Sequence, residues 1–142
     1  ALSSDGLVLV SGPVNSGKTV TLGALGAFQA QVHGHRKVIA TVEDPIELQI
    51  DGACQHPVVS TDGRGFDEAV LSALRQDVNT LILGEIRTSS TAEICRKAAE
   101  TGHLILSSVH ATDAWSTLTR IIALGIDSGK LGEPGFLRAI CN

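Results

Sequence analysis

Cysteine is scarce in this sequence. Cys54, Cys95 and Cys141 are the only three, they are widely spaced, and no Cys-x-x-Cys pair occurs. A thiol redox centre or a cysteine metal site therefore lacks its usual framework, and the three read as reduced thiols of a cytosolic chain. Methionine is absent and the sequence starts at Ala1. A first strand begins within a few residues of that start, and the last residues read as an interrupted helix. Together these give the expectation of a piece excised from a longer polypeptide. No apolar run approaches the ~20 residues that cross a bilayer, and no signal peptide is visible. Positive charge is not in excess: the formal net charge is −4 and the pI is ≈ 5.7. That balance argues against a nucleic-acid groove as the main partner. Internal repeats and low-complexity segments are missing as well. What remains is 142 residues, 43% of them hydrophobic, enough for one soluble globular domain with a real core.

The stretch Gly12-Pro13-Val14-Asn15-Ser16-Gly17-Lys18-Thr19 fits Gly-x-x-x-x-Gly-Lys-[Ser/Thr], the phosphate-binding loop. Leu7-Val8-Leu9-Val10 before it reads as a buried strand. After it, Leu22, Leu25, Phe28 and Val32 recur as on one face of a helix. Two glycines let the backbone curl around an anion, so that main-chain N–H groups point inward as a nest. The loop feeds a helix N-terminus that carries roughly half an elementary positive charge. Lys18 reaches β- and γ-phosphates, the Thr19 hydroxyl holds Mg2+, and Val20 completes the binding stretch Gly12 to Val20.

Lys37 to Val42 is a second buried strand, and Gly34 a plausible end for the helix before it. The strand's end carries Glu43-Asp44-Pro45-Ile46-Glu47. Ligands of open α/β sheets sit at that edge, so these carboxylates can orient or deprotonate water or help hold Mg2+. The competing reading is a solvated acidic turn. Asp51 to Gly65 reads as a long loop, with a possible short strand at Pro57 to Ser60 and His56 as a solvated residue. A helix over about Phe66 to Gln76 buries Phe66, Val70, Leu71 and Leu74. At its end Arg75 is either a cation suited to the helix dipole or a phosphate contact.

Thr80-Leu81-Ile82-Leu83 is a third buried strand, followed by Gly84-Glu85-Ile86-Arg87. A carboxylate directly after an apolar strand holds the Mg2+ shell or the attacking water in phosphate-loop enzymes; otherwise Glu85 is a surface loop residue. Ser90 and Glu93 fit a capping box opening a helix to Glu100. A fourth strand spans His103 to His110, which at ~3.3 Å per residue sets the two imidazoles about 23 Å apart. They cannot share a metal. His110 faces the phosphate-loop edge, placed to sense or stabilise a γ-phosphate. His103, at the far end, fastens the opposite edge or an interface. Asp113 caps a last amphipathic helix with Leu118, Ile121, Ile122 and Leu124, stopped by Gly125, and Trp115 is partly exposed on it. Four strands alternating with helices predict an α/β fold with a parallel sheet and right-handed crossovers.

These landmarks together resemble the secretion ATPase superfamily, especially type II secretion and type IV pilus motors. Gly12 to Thr19 resembles its Walker A box, and Glu43 to Glu47 through Arg75-Gln76-Asp77 its Asp box. Leu81 to Arg87 is similar to its atypical Walker B, in which Gly replaces the Asp; Thr101 to Leu104 through His110 to Ala114 is similar to its His box. Two of the boxes show departures. The Asp box ends Arg75-Gln76-Asp77-Val78-Asn79 where Arg-x-Asp-Pro-Asp is usual, and Thr88 stands where an acid is usual. The four-cysteine zinc module of some secretion members is absent. The resemblance implies a P-loop NTPase of RecA-like fold over residues 1–142, without the family's amino-terminal domain and carboxyl-terminal helices. It implies ATP hydrolysis with Mg2+, with Glu47 and Glu85 as leading catalytic carboxylates beside Lys18 and His110, and Thr19, Glu85 and Glu43 toward the metal. It further implies a homo-hexameric ring at the cytoplasmic face of the bacterial inner membrane. That ring would be held there through a pilus or secretion platform protein, without direct nucleic-acid binding. The rival expectations are a non-hydrolysing nucleotide-binding module, a type IV secretion or conjugation ATPase of the same superfamily, and a DNA motor of the same fold.

Overall fold

The computed structural model describes residues 5–33, 36–58 and 65–142. Its elements in order are β1 (Gly6–Ser11), α1 (Lys18–Val32), β2 (Ile39–Glu43), β3 (Ala53–Pro57), α2 (Gly65–Leu74) and β4 (Thr80–Leu83). There follow α3 (Ser89–Glu100), β5 (Leu104–Val109), α4 (Ala114–Ala123), α5 (Ser128–Leu131) and β6 (Leu137–Cys141). One six-stranded sheet has the order β3-β2-β4-β5-β1-β6, and every pairing is parallel. All strands therefore end on one edge.

The near-continuous apolar strands divide cleanly between the two faces, as a sheet covered on both sides requires. Leu7, Leu9, Ala40, Val42, Leu81, Leu83 and Ile105 pack with Val70, Ala73, Ala92, Cys95 and Ile121 of α2, α3 and α4. The alternate residues Val10, Ile39, Ile82, Leu104 and Leu106 pack with Leu22 and Ala30 of α1 and with Ile50. No helix among the described residues is long and apolar enough to cross a membrane.

The structure corrects several expectations. The sheet has six strands rather than four. The carboxyl-terminal residues form β6 along β1, with Leu9 opposite Ile140 and Val10 opposite Cys141, where a helix was expected. The loop after Asp51 contains β3 at Ala53–Pro57, upstream of the expected Pro57 to Ser60; Val59 and Ser60, like Gly34, lie outside the described residues. β2 starts later, with Val38 exposed, and runs on to include Glu43.

On α1 the buried residues are Leu22, Gly26, Gln29 and Ala30, while Phe28 and Val32 face outward. Close approach to the sheet selects the small residues, because a Cβ on Gly26 would sit 2.6 Å from Ile82 Cδ1. Leu71 of α2 and Ile122 of α4 are likewise exposed. α3 is capped by Thr88, whose side chain accepts from the Thr91 N–H at 3.1 Å, rather than by Ser90. A threonine hydroxyl caps a helix as a carboxylate can, so the cap is intact with Thr88 in this place. Asp113 does cap α4, in a reciprocal capping box with Ser116, and the short α5 follows it.

Candidate active site

β1 runs directly into the glycine loop. Gly12 has φ +155° and a Cβ on it would collide with Ser16 Oγ, while Gly17, the residue before α1, has φ +88°. Both conformations favour glycine. Asn15 at φ +61° is the loop's left-handed non-glycine residue, a conformation asparagine tolerates better than most. Lys18 Nζ bends back over the loop and donates to the carbonyls of Gly12 at 3.0 Å and Pro13 at 2.7 Å. The ammonium is thus preset above the loop. Gly12 and Pro13 shape the loop and hold Lys18, whereas Val14 through Val20 line a cleft of about 670 Å3.

Parallel strand ends bring the other predicted residues to this cleft. Because β5 lies between β1 and β4, the lining passes from the loop to Ser108 and His110, then to Gly84 and Glu85, then to Glu43, Asp44 and Glu47. Glu85 is well packed, its side chain 15% exposed; Oε2 accepts from Arg87 Nε at 2.9 Å and stands 3.6 Å from His110 Nε2. The hydrogen bond to Glu85, aided by the charges of Glu85 and Asp44, raises the Arg87 guanidinium above its ordinary value against the opposing effect of burial. The Ser108 hydroxyl donates to the Gly84 carbonyl at 2.5 Å, tying the end of β4 to β5.

Glu43 is buried at the end of β2. Its Oε1 accepts from Thr41 Oγ1 at 2.6 Å and Gln55 Nε2 at 3.1 Å. Glu47 is exposed on the rim of the cleft. Thr19 and Glu43 also line a second, small hollow beside the first turns of α1. A hydroxyl and carboxylates are the hard oxygen donors Mg2+ takes, and Mg2+ is held by one or two of them together with substrate phosphates.

Other predicted positions stay apart from the cleft. Arg75 is exposed beyond the carboxyl end of α2 and does not line it. His103 closes the α3–β5 turn, its Nδ1 within 3.0 Å of the Ala98 carbonyl and 3.2 Å of Thr101 Oγ1. His56 sits half-buried on β3 rather than solvated in a loop. Trp115 is 78% exposed on α4.

Sequence reasoning missed Arg87, Asp67 with its partner Thr91, and Gln55. Arg87 was legible two positions after Glu85. Asp67, which accepts from Thr91 Oγ1 at 2.6 Å and lines the cleft with it, and Gln55 carry no local signal.

The sequence matches the family described as type II/IV secretion system protein over residues 1–141. It is 40% identical over 129 residues to the type IV pilus assembly ATPase PilB of Pseudomonas aeruginosa, covering 89% of this chain and 22% of that protein. To type II secretion system protein E of the same organism it is 40% identical over 122 residues, covering 86% of this chain and 24% of that protein. The solved structure of the pilus retraction motor PilT with bound ADP superposes with a TM-score of 0.69 at 32% identity, over 87% of this chain and 36% of PilT. The chain thus spans only 22% to 24% of the length of these two curated relatives. A phosphate loop, a parallel sheet that gathers its acidic strand ends beside it, and a match along nearly the whole sequence agree: the chain belongs to the type II/IV secretion system protein family and has its P-loop fold.

Proposed function

We propose that this chain is the nucleotide-hydrolysing core of a motor that powers pilus assembly or retraction, or type II secretion. The observation that carries the reading is convergence. The ends of β1, β5, β4 and β2 deliver Lys18, His110, Glu85 and Glu43 to one cleft.

The substrate is ATP. Main-chain N–H groups of the loop and the Lys18 ammonium take its phosphates. Glu85, steadied by Arg87, orients the attacking water and takes its proton, and Glu47 on the rim is the second carboxylate available for that role. Water adds to the γ-phosphorus as the bond to the ADP oxygen breaks, and ADP leaves with the electron pair. His110 stabilises the charge on the γ-phosphoryl oxygens. Thr19 with Glu43 and Glu85 would hold Mg2+, which when bound neutralises charge on the β- and γ-phosphates. Positioning and electrostatics supply most of the acceleration.

The intact protein works as a homo-hexameric ring at the cytoplasmic face of the inner membrane. It is attached there through a platform protein, and it does not bind nucleic acid directly. Family membership and the ATPase and motor names of the relatives support this reading. Steady-state phosphate release from the intact protein tests it. Lys18→Ala abolishes turnover; parental rates in that variant overturn the assignment.

A further inference from the structure

The acidic segment after β2 is not a free loop. Gln55 of the edge strand β3 stands opposite Thr41 in the parallel register of β2, and Glu43 is two residues further along β2 on the same face. The Gln55 side-chain amide uses both its ends. Nε2 donates to Glu43 Oε1 at 3.1 Å and to the Leu48 carbonyl at 2.9 Å, and Oε1 accepts from the Ile50 N–H at 2.9 Å. Thr41 supplies a further donor to the same oxygen of Glu43, at 2.6 Å. Ile50 itself is buried with the α1-side core. The turn carrying Asp44, Pro45 and Glu47 is therefore closed at its base by one amide that also sets the Glu43 carboxylate.

A carboxylate that is to meet a cation or a water must be held still with one oxygen fixed, and the residue that fixes it acts through it. One Gln55 bond, together with that from Thr41, fixes the Glu43 oxygen, and the other two Gln55 bonds fasten the turn at Leu48 and Ile50. Glutamine suits the place because it has two N–H donors and an acceptor together. Leucine of similar size has neither, and an ionised glutamate has only acceptors.

We propose that Gln55 is a positioning residue of the cleft, setting Glu43 toward Thr19 and holding Glu47 at the rim. This inference rests on the proposed hydrolysis. The discriminating substitution is Gln55→Glu. It keeps an acceptor for the Ile50 N–H but removes both donors, and it sets a second carboxylate against Glu43.

The test uses the intact protein, with phosphate release followed against ATP and Mg2+ concentration and metal-free ADP binding followed by calorimetry. The expected result is a fall in kcat of about 10- to 100-fold in Gln55→Glu. Half-saturating Mg2+ rises with it, while ADP affinity stays within about twofold of the parent, since the glycine loop is untouched. In a Glu43→Gln background the same substitution costs less than about twofold, because the opposed charges are gone.

Unchanged kcat and Mg2+ dependence, a loss of ADP affinity in step with kcat, or a full-sized effect on top of Glu43→Gln each overturns the role. Should Gln55→Glu fail to fold, Gln55→Leu decides: parental kcat overturns the role, and reduced kcat with intact ADP binding supports it. A parent that binds ADP but releases no phosphate overturns the proposed function and this role together. An active parent with indifferent Gln55 variants overturns this role alone.

Discussion

Arg87 Nε donates to Glu85 Oε2 at 2.9 Å, so one oxygen of the strand-end carboxylate is taken by a cation two residues away. His110 Nε2 stands 3.6 Å from that same oxygen. Because the Arg87 side chain is 64% exposed, the pair contributes at most about 1 kcal/mol to stability. Its value lies in fixing the carboxylate. Arg87→Ala is expected to leave the unfolding midpoint nearly unchanged and to lower turnover about 10-fold. Arg87→Lys restores only part, since an ammonium lacks the planar fork. Assayed in a Glu85→Gln background, Arg87→Ala costs nothing further; a full additional loss there would show that Arg87 acts elsewhere.

The cap of α3 separates Thr88 from the acid usual at its place. Thr88→Ala removes the acceptor for the Thr91 N–H and is expected to destabilise the chain by about 1 kcal/mol. Thr88→Asp keeps the acceptor and changes stability by no more than about 0.5 kcal/mol. Denaturant unfolding of both variants beside the parent measures the difference.

On the outer face of α3, the Arg96 guanidinium grips Glu93 through two bonds of 2.7 Å. Hydrogen bonding to Arg96, then its charge and Lys97, bring the Glu93 carboxyl down from 4.5 to about 2. A depressed carboxyl contributes stability that is fully present above its unfolded value and disappears as the pH falls through its folded one. The Glu93 contribution is therefore full above pH 4.5 and is lost progressively as the pH falls from there to about 2. Carboxyl-carbon NMR titration reads this directly, and Arg96→Ala returns the midpoint upward toward 4.5.

The three thiols differ in reach. Cys54 and Cys141 are exposed on the two edge strands, while Cys95 is buried in α3. Burial above all, with the nearby charge of Asp67, pushes the Cys95 thiol up, and the thiolate is the reactive form. Alkylation of the native chain at neutral pH is expected to label Cys54 and Cys141 and to reach Cys95 only in denaturant, as mass spectrometry would show. Native labelling of Cys95 would contradict its packing.

Much of the site can be read without coordinates because its signals are local. The glycine loop, the apolar run before it and the acid that follows an apolar run each lie within a few residues, and their chemistry follows from their order. Burial on α1 was harder to read. Periodicity marks Phe28 and Val32 as strongly as Leu22, but the sheet lies so close under the helix that Gly26 has no room for a Cβ. The carboxyl-terminal strand was misread for a related reason. Leu137 to Cys141 carries no decisive period, and its state is set by the hydrogen bonds that β1 offers along its edge.

Taken alone, the order of residues determined that a glycine loop joins a strand to a helix, that acids stand at strand ends, and that the strands run parallel, because each of these is a matter of near neighbours. Tertiary structure alone decided who stands beside whom. Insertion of β5 between β1 and β4 sets His110 against Glu85, and the pairing of β3 with β2 sets Gln55 against Glu43. The reason is that sheet order is settled by contacts between residues far apart in the chain, and no local pattern encodes which distant strand will be the neighbour.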